Sequence, residues 1–395
     1  MRTLTLILVL LASSFAKANS STQPHQRVNV FTIMELIDKQ LNPSNIDKIS
    51  EYVDAAQSTK SSIFQVPEIE TLGRKSVDTN ETSYEVSLEQ PIKISNLSAG
   101  RKLRSDSKKL SELEVSKTLS DLKFNALKTY LSFCENNNRI KVLENVHKSI
   151  YSFAKNLDRA AAKGGASQVT ALKVNLFIEN LSNQKNNLNS EQKSQLLIIS
   201  QSAQINNLKP ENIDCNTMMP NKNLDLEGLT PYQIAQLNFE ISQNTARASK
   251  GYEFSVQVDY EKGFDQDDKS FLVGLKFPLG QSSAAKSEYY ERQAEKTKKQ
   301  LEFDVTKKIL TSSILSLKKE RQIVKARIDW LNSKQGTSAN IAKRAIAAYR
   351  SGATDFQSFK DSIELGLDIN LEHIQEKYRL ENINLRIWAL GGFSK

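Results

Sequence analysis

Cysteine, histidine, proline and glycine are all scarce. The 395 residues include 2 Cys, 3 His, 8 Pro and 14 Gly, and aromatics make up 7%. Two cysteines cannot frame a disulfide scaffold, and 14 glycines exclude a collagen-like repeat. So few Gly and Pro also count against a chain of short strands and turns, and favour long helices. The histidines, His25, His147 and His373, lie far apart without ligand spacing. There is no zinc pattern, P-loop, nucleophile elbow or dinucleotide fingerprint. Nothing points to an enzyme or a cofactor. No segment after the N-terminus has 18 consecutive apolar residues, so no transmembrane helix is expected.

What is present begins with an export signal over 1–18. Arg2 supplies the basic start, Leu4 to Ala12 the apolar run, and Ala16-Lys17-Ala18 a small-residue cleavage site. No cysteine follows the cleavage site, so no lipid anchor is expected. Losing Arg2 and Lys17 lowers the formal charge from +9 to about +7. Nucleic acid is a poor match for this surplus, because export takes the chain away from it. The exported protein is either soluble or crosses a membrane by β-strands.

Two strands follow from alternation. Phe254, Val256, Val258 and Tyr260 alternate with polar residues, and so do Phe271, Val273, Leu275 and Phe277 with small or mixed ones. A Gly- and Asp-rich run joins them as a hairpin. Alternation alone fits strands between lipid and a wet lumen, and also a hairpin half buried on a soluble core. Upstream, Tyr84, Val86 and Leu88 alternate similarly. Pro91 and Pro278, 187 positions apart, are each expected to end a strand.

A long helical stretch without proline follows each proline. Its apolar positions are Leu119, Leu122, Ala126, Tyr130 and Phe133 in the first, and Leu301, Val305, Ile309, Leu317, Val324, Ile328 and Leu331 in the second. Each breaks at a small-residue turn, Lys163 to Ser167 and Arg350 to Asp355. Gly164 and Gly352 are 188 positions apart, so two kinds of landmark share nearly one period. Ser167 and Asp355 are expected N-caps of the returning helices. The chain therefore reads as a duplicated unit. Residues 19–207 hold an N-terminal helix, strands at about 62–72 and 83–91, and a helical hairpin over 97–207. A polar connector covers 208–229. Residues 230–395 repeat the pattern, with a helix, strands at about 252–260 and 270–278, and a hairpin over 281–393.

These residues resemble TolC-like outer-membrane efflux proteins over nearly all of the exported length. Asn42-Pro43 looks like that family's helix start, Ala55 and Ala56 like its following helix, and Pro67 like its proline-led first strand. SLEQPI and LKFPLG look like its two barrel-to-helix junctions, and KGGASQVTAL and YRSGATDFQSF like its hairpin tips. The resemblance implies a mainly α chain with a β-barrel part. It implies a homotrimer with a 12-stranded barrel in outer-membrane lipid, continued by an α-helical barrel in the periplasm. It implies a passive exit duct for efflux or type I secretion, served by a periplasmic adaptor and an inner-membrane pump or ABC exporter. Four strands cannot close a barrel alone, so oligomerisation suits them.

The tips would dock the adaptor through Gly164, Gly165, Ala166 and Ser167, and through Gly352, Ala353, Thr354 and Asp355. Tyr349 matches the family's tyrosine before the tip glycine, and Asp361 its second acidic gate position. The first acidic position falls on Ser358, a departure that weakens any acidic ring. Arg101, Lys102 and Arg104, with Lys108 and Lys109, crowd a helix start where cations oppose the dipole. In a duct they would lie near lipid phosphates; otherwise they form a solvated face. Helix and connector lengths allow Cys134 to meet Cys215, leaving either a bridge or two free thiols. The competing functions are an exported coiled-coil structural or adhesin-like protein, and a periplasmic adaptor. The duplication argues against the adaptor.

Overall fold

A computed structural model describes residues 27–40, 48, 51–53, 55, 67–75, 82–93, 96–165, 167–216, 218–220, 222, 225–249, 253–263, 269–276 and 283–393. The export signal, Asn42, Pro43, Ala56, Ala166 and Pro278 lie outside them, as do 62–66 of the first expected strand.

In chain order the elements are helix α1 (Val30–Gln40), strands β1 (Glu68–Lys75) and β2 (Thr82–Lys93), and helices α2 (Asn96–Ala162) and α3 (Gln168–Ala203). Helix α4 (Thr230–Ala248), strands β3 (Glu253–Gly263) and β4 (Lys269–Lys276), and helices α5 (Ser283–Arg350) and α6 (Phe356–Leu390) follow. The copies match closely in length. Helices α2 and α5 have 67 and 68 residues, and α3 and α6 have 36 and 35. At 1.5 Å per residue the longer pair runs about 100 Å.

The chain divides into two compact units. One comprises residues 1–40, 121–222 and 318–386; the other comprises 41–120, 223–317 and 387–395. The second holds a four-stranded antiparallel sheet in the order β1-β2-β3-β4. Its middle pairing, β2 to β3, joins the first repeat to the second. Pro91 does not end β2 as expected. The strand continues to Lys93, and Pro91 lies opposite Ser255 of β3. Among the described residues the β1 ladder reaches Glu89, and Pro91 is paired only with β3. A proline lacking its N–H is tolerated at such a place. The small core of this unit gathers Leu229, Tyr232 and Leu310 with Phe303, Ile314 and Leu390.

The core of the first unit is a helical seam. Leu143, Ile150 and Phe153 of α2 pack with Val174, Phe177 and Leu181 of α3, and with Ala345, Phe359, Ile363 and Leu367 of α5 and α6. The seam of α5 repeats every seven residues. Leu310, Leu317, Val324, Leu331, Ser338 and Ala345 are all buried, each in its own unit. A strict heptad is the signature of coiled-coil packing. Burial varies along the apolar positions read from the sequence. Leu317, Val324 and Leu331 are buried, but Leu122, Leu301, Val305 and Ile309 are exposed on the single chain. Apolar spacing locates a face and does not say whether the same chain covers it.

Candidate functional site

The sheet divides its residues by register. Ile69, Tyr84, Val86, Leu88, Phe254, Val256, Val258, Tyr260, Phe271, Val273 and Leu275 share one face. Glu68, Glu70, Glu85, Ser87, Glu89, Ser255, Gln257, Asp259, Glu261 and Lys276 share the other. Period-two alternation in β2 and β3 produces most of this sorting, while Leu72 of β1 and Leu272 of β4 fall on the polar face. On the apolar face Ile69 and Phe271 are each 69% exposed, so this chain leaves much of that face uncovered. The polar face is tied together. Ser255 donates to Glu89 Oε1 at 2.6 Å, and Lys276 Nζ bridges to Glu89 Oε2 at 3.0 Å. Gln257 donates to Ser87 Oγ at 3.2 Å and to Asp259 Oδ1 at 2.9 Å.

Glu89 and Lys276 each stand two residues before the landmark proline of their own repeat. Corresponding places in the two halves thus carry a carboxylate and an ammonium, and the sheet brings them together.

Both tips are built alike. Gly164 and Gly352 have φ of 77° and 73°, the left-handed region that L side chains avoid. In the first, Gly165 N–H donates to the Ala160 carbonyl at 2.8 Å and Gly164 N–H to that of Ala161 at 3.1 Å. In the second, Ala353 N–H donates to Ala348 at 2.9 Å and Gly352 N–H to Tyr349 at 3.2 Å. This paired closure is the Schellman ending, which satisfies the last carbonyls of each long helix.

The restarts differ. Asp355 Oδ1 accepts from the Ser358 N–H at 2.7 Å, and that bond holds its carboxyl below the usual range. Ser167 occupies the N-cap position, but its side chain makes no cap hydrogen bond, contrary to the expectation. Thr354 is half-buried and its hydroxyl has no hydrogen-bond partner.

Tyr349 lies in an aromatic cluster. Its ring stacks on Phe359 at 4.8 Å and meets Phe153 edge-on at 5.7 Å. Burial pushes its phenol up, while a hydrogen bond with Thr170 opposes this. Asp361 is exposed and accepts from Gln357 at 2.7 Å.

At the start of α2, Arg101 and Lys102 are exposed and Arg104 is half-buried. Asp106 was missed by sequence reasoning. It is 5% exposed and accepts from Asn244 of α4 at 3.1 Å. Desolvation pushes its carboxyl up and nearby Glu240 adds to this, while Lys102 and Lys109 oppose it. A buried carboxylate thus lies among the cations whose dipole conflict needed an answer.

Cys134 and Cys215 are joined by a disulfide, with 5.4 Å between their Cα atoms. Among the described residues, no group of three His, Cys, Asp or Glu is placed to hold a metal ion.

No protein-family model matches the chain, and no curated protein matches it. Solved structures do. CusC, described in terms of transmembrane channel formation, superposes with a TM-score of 0.71 at 10% identity over 95% of both chains. The outer membrane protein VceC of Vibrio cholerae gives 0.70 at 11% identity, over 92% of this chain and 96% of its own. The CmeC outer membrane channel of Campylobacter jejuni gives 0.65 at 12%, over 96% and 90%. Nearly whole chains therefore align end to end despite little shared sequence, and the protein has the TolC-like fold.

Proposed function

We propose that the chain is a passive exit duct of the outer membrane. It would be a homotrimer whose sheets close one 12-stranded barrel and whose helices continue it through the periplasm. The observation that carries the reading is the sheet. One face is apolar and aromatic, the other polar and rich in carboxylates, and β1 and β4 have outer edges paired to no other strand among the described residues. Open edges in lipid leave backbone groups unsatisfied, and closure with other copies removes them. The apolar face would then meet lipid and the polar face line a wet passage.

In this reading the duct performs no chemistry. Substrates are handed on by an inner-membrane pump or ABC exporter through a periplasmic adaptor. Both tips, Gly164 to Ser167 and Gly352 to Asp355, would meet the adaptor, and Tyr349 and Asp361 would belong to the closing end. Arg101, Lys102 and Arg104 would face lipid phosphates.

Two experiments test this. Protein extracted in mild detergent is expected at the mass of a trimer and to conduct ions across planar bilayers. A monomer at all concentrations, soluble without detergent, would favour the structural coiled-coil alternative. Separately, Gly165→Trp and Ala353→Trp variants are expected to form trimers in the outer membrane yet lose export and adaptor crosslinking. Normal export by both would leave the tips as turns only.

A further inference from the structure

The polar connector after α3 is fastened to three separate parts of the chain. At its start, Val28 pairs with Ile213 in a parallel bridge. Val28 N–H donates to Asn212 O at 2.8 Å, and Asp214 N–H donates to Val28 O at 2.9 Å. In its middle, the Tyr130 hydroxyl of α2 donates to the Asp214 carbonyl, and Cys215 is bonded to Cys134 one helical turn further along α2. Beyond that, Met219 N–H donates to Glu381 Oε2 of α6 at 2.7 Å. Seven residues, Ile213 to Met219, thus tie the N-terminal lead, the first repeat and the second.

The order in which these ties form is constrained. Cys134 lies in the interior of α2 and is 1% exposed, as is Tyr130. The two cysteines are 81 positions apart, with the rest of α2, the tip and all of α3 between them. From Cys134 the chain runs about 40 Å along α2 to the tip and about 54 Å back along α3. The connector then reverses to bring Cys215 over its partner. In the folded chain it is the closed hairpin and the reversing connector that hold the sulfurs together.

We propose that the connector is a covalently sealed clasp, closed late by dithiol–disulfide exchange that enters at Cys215. Cys215 is the half-buried member of the pair, and a cavity of about 460 Å3 beside it is lined by both cysteines, Asn138, Lys141, Lys377 and Tyr378. The Cys215 thiolate attacks an incoming disulfide and expels one of its sulfurs as a thiol. Cys134, deprotonated, then attacks the mixed disulfide at Cys215 and expels the second sulfur. The two cysteines lose two protons and two electrons, and the exchanging disulfide leaves as a dithiol. The reaction class that must precede the finished protein is therefore thiol oxidation by a disulfide donor, and this holds whether or not the chain is a duct.

The test uses the full-length protein in mild detergent, oxidised and reduced with dithiothreitol, with amide exchange as the readout. Reduction is expected to speed exchange at Val28, Asp214 and Met219 at least tenfold and leave Gly165 and Ala353 unchanged. Unchanged exchange at all five would overturn the clasp, because its hydrogen bonds would then stand without the bond. A Cys134→Ser/Cys215→Ser variant repeats the comparison; if it fails to fold, the reduced natural chain still decides. For timing, the reduced chain is reoxidised with oxidised glutathione in denaturant and under refolding conditions. Closure should be at least tenfold faster in the second. Equal rates would mean that the bond needs no folded hairpin.

Discussion

Single backbone conformations set the tips. Replacing Gly164 or Gly352 by Ala forces a side chain into positive φ, at a cost of about 1 kcal/mol each. No further clash is expected, because an added Cβ meets nothing within 4 Å at either. Thermal unfolding should report similar losses for both. Gly392 also has positive φ, but its added Cβ would lie 2.8 Å from Thr230 Oγ1, so its variant should lose more. At the restarts, Asp355→Ala should speed amide exchange at Ser358 and Phe359, whereas Ser167→Ala should change little. Because the folded pKa of Asp355 is lowered, its contribution is present above the ordinary 3.8 and vanishes as pH falls below it. Glu381 behaves oppositely. Burial pushes its carboxyl up from 4.5, so the folded chain keeps a proton that the unfolded chain has lost. Stability from this group is fullest below 4.5 and falls as pH rises through the raised value. Glu381→Gln should flatten that part of the unfolding profile between pH 4 and 8. Both tip glycines and Asp355 were legible in the sequence. Ser167 was not, because a hydroxyl at the right position need not make its bond. Nor was Asp106, whose partner Asn244 lies 138 positions away.

At the scale of elements, the heptad of α5 governs packing. Leu331 is fully buried in it, and Leu331→Ala should cost about 2–5 kcal/mol in denaturant unfolding. Ser338 is the polar member of the seam. It is 1% exposed, donates to the Gly366 carbonyl at 2.7 Å and accepts from Asn370 at 2.8 Å. A search for apolar periodicity passes over it, since a serine spoils the pattern it completes. The exposed Leu301, Val305 and Ile309 keep the expected helical spacing and belong to a stripe that this chain does not itself cover. Alternation is local and strong, and β2 and β3 begin within one residue of expectation, whereas β1, expected at about 62–72, spans Glu68–Lys75. Pro91 does not mark the end of β2, since the lateral neighbours decide whether a missing N–H matters. Lengths alone allowed Cys134 to meet Cys215 but could not bring the sulfurs into contact. A bridge across 81 positions restricts the unfolded chain by roughly 4–5 kcal/mol in the chain-entropy account, so its removal should cost about 2–5 kcal/mol.

For the whole molecule, the uncovered apolar surface is the feature to test. If Leu301, Val305 and Ile309 meet another copy in the proposed trimer, changing all three to Lys should leave monomers in mild detergent while helix content by circular dichroism stays the same. Retained trimers would send that stripe to another partner. The pairing of Glu89 with Lys276 reaches further still. A carboxylate and an ammonium at corresponding places mean that the halves have become complementary rather than equivalent. A chain made by fusing two first halves would put two carboxylates at this pairing, with Glu68 in place of Ser255, and one made from two second halves would put two ammoniums there. Exchanging the pair, Glu89→Lys with Lys276→Glu, should be tolerated better than either change alone. At this pairing, therefore, the two halves of the chain are matched to each other and are not interchangeable in charge.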